Sequence, residues 1–327
     1  MNNVIFILVL LASGWTLRQL RVRPSTPDGA IPPWSEWPRI FPDNTAKVLT
    51  QLILYVSLPA LILAQIPRTD FTKDAFVVVA MPWLLLFLSA GLVWLVARWR
   101  GWSRSITGAL LLLVPLGNTS FFGVPMVQAF LGTEMVPYAL VYDQLGTFLA
   151  LATYGAVVVA LYSETTASCD NALNWKVIRA NIAGKVASFP PLQFMVIAFA
   201  IKLSGWTYPD MVTTMLESLA ATVVPLAMIA VGLQVKPYLE REALQPIGFG
   251  LLVKLCVAPL LAIGLCQMFG WTGPTSSLAV FEAGMPPQIG AWAVSMAAGF
   301  DQRVAAPMVG FGILISLVTL TGLHYVL

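Results

Sequence analysis

The sequence predicts an all-α polytopic membrane protein with ten transmembrane helices. These form a 5+5 inverted repeat with two broken crossover helices, spans 4 and 9. Three observations lead there. Of 327 residues, 58% are hydrophobic and 10% charged, whereas a soluble domain carries about 25% charged residues. Ten apolar stretches have about the length a ~30 Å bilayer core requires. Interruptions rich in proline and glycine recur at a common offset in the two halves. The formal charge of +3 is too small to point to a nucleic-acid partner, so membrane lipids are the surroundings this composition calls for.

The apolar stretches run over residues 3–19, 46–66, 75–97, 105–131, 136–162, 190–205, 210–235, 244–269, 275–299 and 304–327. The first has its basic residues, Arg18, Arg21 and Arg23, after the apolar run. A cleaved signal carries them before it, so this stretch is read as a retained helix. Residues 24–44 hold six prolines, which makes them a semi-rigid loop. Residues 163–189 form a connector with a helix-capable piece, Trp175 to Ala187. It is read as a tether between the halves, or else as a surface-lying amphipathic helix. Domains follow as 1–162, the connector 163–189, and 190–327.

Orientation comes from the cations. The connections after spans 1, 3, 5, 7 and 9 carry 14 of the 18 Lys and Arg residues, and those after the even spans carry Arg68 and Lys73. Cytoplasmic loops are enriched in Lys and Arg, so the odd connections are cytoplasmic and both termini lie outside. The implied location is the plasma membrane of a bacterium, its inner membrane. Trp94, Trp99, Trp102, Trp206 and Trp271 fall near span ends, where interfacial aromatics gather.

Span 2 contains Leu58-Pro59-Ala60 and span 7 contains Val224-Pro225-Leu226, an offset of 225 − 59 = 166. The same offset carries Asn118 in span 4 onto Gly284 in span 9. Around these positions lie Pro115, Gly117, Gly123 and Pro125 in one half, and Gly284, Pro286, Pro287 and Gly290 in the other. An odd number of spans per half inserts the halves with opposite orientation. Proline removes a backbone donor and clashes with the preceding turn. Unpaired backbone at membrane depth survives only where it is buried in protein or lines a wet cavity. Facing broken helices in an inverted repeat are the usual build of a transporter's site.

The segments Gly117-Asn118-Thr119-Ser120-Phe121-Phe122-Gly123-Val124-Pro125, Pro137 to Gly146 and Glu282-Ala283-Gly284-Met285-Pro286-Pro287, with Leu58-Pro59-Ala60, resemble the auxin efflux carrier family of bacteria and plants. The resemblance spans nearly the whole chain. It implies a fold like that of the bile acid–sodium symporters, with a scaffold of spans 1, 2, 6 and 7 and a moving transport domain of spans 3–5 and 8–10. It also implies organic-anion substrates such as malonate, malate or indole-3-acetate, and a homodimer through the scaffold. The long hydrophilic central loop of plant auxin exporters is absent here.

Asn118 stands at the start of a second half-helix, where amide donors and the helix dipole favour an anion. Its plainer role would be to satisfy its own broken backbone. In the resembling family this position contacts substrate. With Gly117, Thr119, Met285, Pro286 and Gln288 it makes up the candidate substrate-binding set. An ionised carboxylate in a helix centre costs ~2.5–3.5 kcal/mol on the insertion scale. Glu282 and Asp143, the latter beside Gln144, are therefore expected to be protonated, paired or wet. These three form the candidate ion-coupling set, for H+ or Na+ with Glu282 as a sodium ligand, and a lean to protons because few Ser or Asn flank it. Lys254 is the candidate charge partner, unless it snorkels to the interface.

Other function classes lack their residues. The sole histidine is His324, near the end of the chain, so no nucleophile–base pair is available within the spans. No Asp-x-x-Asp or His-Glu pair marks a metal site, and three cysteines make no disulfide or metal framework. No enzyme and no cofactor are expected. The alternative is a membrane sensor for a small carboxylate.

Overall fold

The computed structural model describes residues 2–21, 39–42, 44–163, 175–235 and 239–327. Most of the proline-rich 24–44 loop lies outside the described residues, as do Cys169 and Lys236. Among the described residues the fold is all helical, with isolated β-bridges in place of strands. In chain order the helices are α1 (Asn2–Gln19), α2 (Thr45–Arg68), α3 (Lys73–Arg100), α4 (Arg104–Leu113), α5 (Val124–Phe130), α6 (Thr133–Tyr162) and α7 (Trp175–Ala187). There follow α8 (Pro190–Ser204), α9 (Asp210–Gln234), α10 (Arg241–Phe269), α11 (Pro274–Ala283), α12 (Ile289–Ala297) and α13 (Gln302–Val326).

Six of these, α2, α3, α6, α9, α10 and α13, are long and apolar enough to cross a membrane. The chain is a multi-pass membrane protein. Four of the others, α4, α5, α11 and α12, are short for identifiable reasons. In place of one long helix over 105–131, α4 stops at Leu113 and α5 begins at Val124, after a π-turn Thr119–Gly123. In place of one over 275–299, α11 stops at Ala283 and α12 starts at Ile289. Both gaps hold the glycines and prolines that cannot continue a helix.

Packing sorts the helices into two sets. In the first, α1 lies along α9, and α2 packs against α8 and α9. In the second, α3, α4, α6 and α10 to α13 pack on one another. The α1–α9 contact is close because it is built on glycines: a Cβ on either Gly14 or Gly232 would sit 3.0 Å from the Cα of the other. Small residues let membrane helices approach until their backbones touch. Gly232→Ala should therefore destabilise by about 1–3 kcal/mol through overpacking. The measurement is the thermal unfolding midpoint in detergent, and an unchanged midpoint would show that this contact yields easily.

Two distortions sit opposite one another in the first set. A π-turn, Ile53–Ser57, interrupts α2, and α9 is interrupted at Ala221–Thr222. Ser57 and Thr222 share a hydrogen bond of 2.7 Å between their hydroxyls. The connector helix α7 packs against α6 and α8.

Candidate functional site

The two helix breaks satisfy each other. The Asn118 N–H donates to the Pro286 carbonyl at 2.7 Å, and the Gln288 N–H donates to the Leu116 carbonyl at 3.0 Å. Between them Gly117 and Pro287 form an antiparallel bridge. A peptide group left unpaired in hydrocarbon costs several kcal/mol, so each break supplies a donor to a carbonyl of the other. The pairing also sets the polarity of the site. The ascending starts at Asn118 and Gln288 carry the partial positive charge of helix N-termini, while the ends at Leu113 and Ala283 carry partial negative charge.

The side chains gathered here are buried and incompletely paired. Asn118 is 1% exposed, and neither its Oδ1 nor its Nδ2 has a partner. Glu282 is equally buried, with both carboxylate oxygens unpartnered. Gln144 Oε1, Gln288 Oε1 and Ser295 Oγ are in the same condition. Each such group costs about 1–3 kcal/mol if left unsatisfied. Four of these residues, Asn118, Glu282, Gln144 and Gln288, lie at the pair of breaks or are tied to it through Asp143, and indicate groups that meet water, an ion or a ligand.

Asp143 differs from Glu282. It lies in a π-segment of α6, Tyr142–Phe148, and π-segments recur at functional sites. Its carboxylate accepts from Thr119 Oγ1 at 2.5 Å, from Gln144 Nε2 at 2.6 Å and from Ser120 Oγ. It needs no basic partner, since hydroxyl and amide donors hold it, and it ties α6 to the start of the second half-helix.

Lys254 sits in another π-turn, Val253–Val257 of α10. It does not snorkel. At 3% exposure it is the one buried cation among the described residues, and its Nζ donates to the Ala283 carbonyl at 3.3 Å. That carbonyl ends α11, where the helix dipole favours a cation. Lys202 is the contrasting case: it reaches the exposed Asp70 at 3.2 Å.

Two glycines make this packing feasible. A Cβ on Gly117 would lie 3.0 Å from Lys254 Nζ and 3.6 Å from Met285 Cβ. One on Gly123 would lie 2.7 Å from Glu282 Oε2. Gly123→Ala should therefore push the Glu282 carboxylate aside, lowering transport about tenfold or more for an estimated 1–3 kcal/mol of overpacking. Transport rates within twofold of the parent, at matched protein levels, would show that Glu282 has room to move.

Of the residues singled out in the sequence, Gly117, Asn118, Thr119, Met285, Pro286 and Gln288 lie at the clasped breaks. Asp143 and Gln144 join them through Thr119 and Ser120. Glu282 and Lys254 flank Gly123 and Gly117. Sequence reasoning missed Ser120, Ser89, Tyr142 and Thr147. The last three line a cavity of about 10 Å³ together with Thr119, Lys254 and Glu282, room for about one water. Ser120 could have been found from its place beside Thr119. The others depend on helix rotations that π-turns alter.

The clasp of two interrupted helices, with buried polar side chains left open around it, is the arrangement seen at transport sites. The sequence profile of the membrane transport protein family matches residues 34–324. The chain belongs to this family, the auxin efflux carrier family that its motifs resemble. An uncharacterized transporter of Methanothermobacter thermautotrophicus is 24% identical over 322 residues, covering 98% of this chain and 95% of that protein. An uncharacterized transporter of Methanocaldococcus jannaschii is 23% identical over 257 residues, covering 76% and 78%. Membership places the chain among membrane transporters.

Proposed function

We propose that this family member is a secondary transporter for a small organic anion, working by alternating access at the clasped helix breaks. The observation that carries the reading is the orphaned amide of Asn118 at a half-helix start, directly beside the bridge between the breaks. A carboxylate placed there meets the Asn118 amide and two positive helix ends. The substrate class is a dicarboxylate such as malonate or malate, or an indole or aryl carboxylate.

The architecture that goes with this function is ten spans in a 5+5 inverted repeat. Supporting it, the contacts between halves join residues near the 166 offset: Ser57 with Thr222, and Gly117 with Pro287. Contacts of that kind fall on a pseudo-two-fold axis. The set α1, α2, α8 and α9 acts as scaffold and the remainder moves against it. The cation distribution puts Arg68 and both termini on the outer side of the inner membrane. A homodimer would use the first half of α9, which has no buried residue and exposes Met211 and Met215.

Coupling is assigned to Glu282, with Asp143 and Gln144 completing the polar core, and protons are favoured over sodium. Sodium sites in such transporters use half-helix carbonyls, and the Lys254 ammonium already takes that of Ala283. The test is uptake of labelled malonate, malate and indole-3-acetate into proteoliposomes. Saturable uptake of one of them is expected, and uptake of none above empty liposomes would refute the reading.

A further inference from the structure

A second cavity, of about 470 Å³, lies between α1, α2 and α9 on one side and α5 with the start of α6 on the other. That volume is within the range of small-ligand sites. Its walls include Phe6, Leu61, Gln65, Pro125, Gln128 and Glu217. Pro125, Gln128 and Ala129 belong to the second half-helix, so the cavity borders the element that begins at the first break. Its charged group is Glu217, and what faces Glu217 is Arg68 at the end of α2.

Arg68 is arranged as a carboxylate receptor with a carboxylate already in it. Its Nη1 donates to Glu217 Oε1 at 2.6 Å, and its Nη2 donates to Thr213 Oγ1 at 3.1 Å. Burial pushes the Tyr208 hydroxyl, in the connection before α9, above its ordinary pKa, and the Arg68 charge acts in the opposite direction. That hydroxyl is enclosed without a partner. The planar fork of arginine fits a carboxylate with two parallel donors. The side chains of Arg68 and Glu217 are 50% and 55% exposed, so water screens their attraction and an incoming anion can displace Glu217 cheaply.

We propose that Arg68, with Thr213 and the Tyr208 hydroxyl, is an entry site for the substrate carboxylate at the mouth of this cavity, where Glu217 acts as a built-in competitor. This rests on the transporter reading above and adds a second, transient site remote from Asn118. Glu217 holds Arg68 in position when no substrate is present and yields it when one arrives. The pair therefore screens for anions before they reach the breaks. It acts on capture from the Arg68 face and leaves the translocation step itself unchanged.

The test uses full-length protein in sidedness-defined proteoliposomes, with labelled malonate and labelled indole-3-acetate as probes. A charge at the rim of a binding surface acts mainly on the on-rate and its salt dependence. Arg68→Gln should raise the half-saturation concentration about tenfold for probe offered on the Arg68 face, and flatten its dependence on salt. Glu217→Gln should lower that concentration about threefold, because the competitor is gone. Arg68→Lys keeps the charge without the fork and should fall between. Thermal midpoints of the variants report whether the pair merely staples α2 to α9. The proposal is overturned if the wild type transports a probe while Arg68→Gln leaves its half-saturation within twofold. It is equally overturned if the change is the same from both faces, or if it follows a loss of stability. If the wild type moves neither probe, the transporter reading falls, and this inference with it.

Discussion

Asn118→Ala abolishes substrate binding or weakens it about ten- to hundredfold, while the protein still folds. The size follows from losing one donor to a charged ligand, about 1.5–3 kcal/mol, at a tenfold change per 1.4 kcal/mol. The expectation that folding survives comes from the structure. Both polar atoms of the Asn118 side chain lack a protein partner, so the substitution breaks no internal hydrogen bond. The bond that does hold the site together runs from the Asn118 backbone N–H to Pro286, and alanine keeps it. Equilibrium binding to protein in detergent, beside a thermal unfolding curve, separates the two effects. Binding unchanged within twofold would remove Asn118 from the substrate's immediate contacts.

The second large effect concerns energy coupling. Each unit of pH difference is worth about 1.4 kcal/mol per proton, or roughly tenfold accumulation at one proton per substrate. An imposed pH gradient is expected to drive accumulation of labelled substrate in proteoliposomes, and a sodium gradient is not. Glu282→Gln should reduce the pH-driven accumulation to simple equilibration. Among the described residues the core holds two carboxylates, Asp143 and Glu282, against one buried cation, Lys254. Adding an anionic substrate makes that core more negative in a low-dielectric site, so an accompanying positive charge is favoured. Asp143 has three side-chain donors and Glu282 has none. Glu282 is therefore the carboxylate able to change its charge without dismantling a network. If neither gradient drives accumulation and Glu282→Gln transports normally, Glu282 has no coupling role.

Much of the fold was legible because a bilayer imposes few and strict demands. Apolar run length marked the membrane-length helices α2, α3, α6, α9, α10 and α13. The glycines and prolines around 117–125 and 284–287 marked the interruptions, since no helix can hydrogen-bond through Pro286 and Pro287. Burial of Lys254 was not legible. A lysine ten residues into an apolar stretch reads equally as snorkelling or as buried, and the structure buries it, within the π-turn Val253–Val257, on the Ala283 carbonyl. The four π-turns among the described residues each insert one extra residue and shift the helical phase, which a run of mostly apolar residues does not display.

By itself, the sequence determined that this chain lives in a membrane, where its helices break, and which polar side chains are too costly to be in hydrocarbon without a purpose. Those follow from composition and local covalent chemistry, which each residue carries with it. Only the tertiary structure decided who meets whom. It closed each break with the backbone of the other, gave Asp143 to Thr119, Ser120 and Gln144, and set Lys254 on the end of α11. It also left Asn118 and Glu282 without partners and placed Arg68 on Glu217 from 149 residues away in the chain. The physical reason is that hydrogen-bond pairing between segments depends on how helices rotate and pack, and a helix's own sequence does not specify its neighbour.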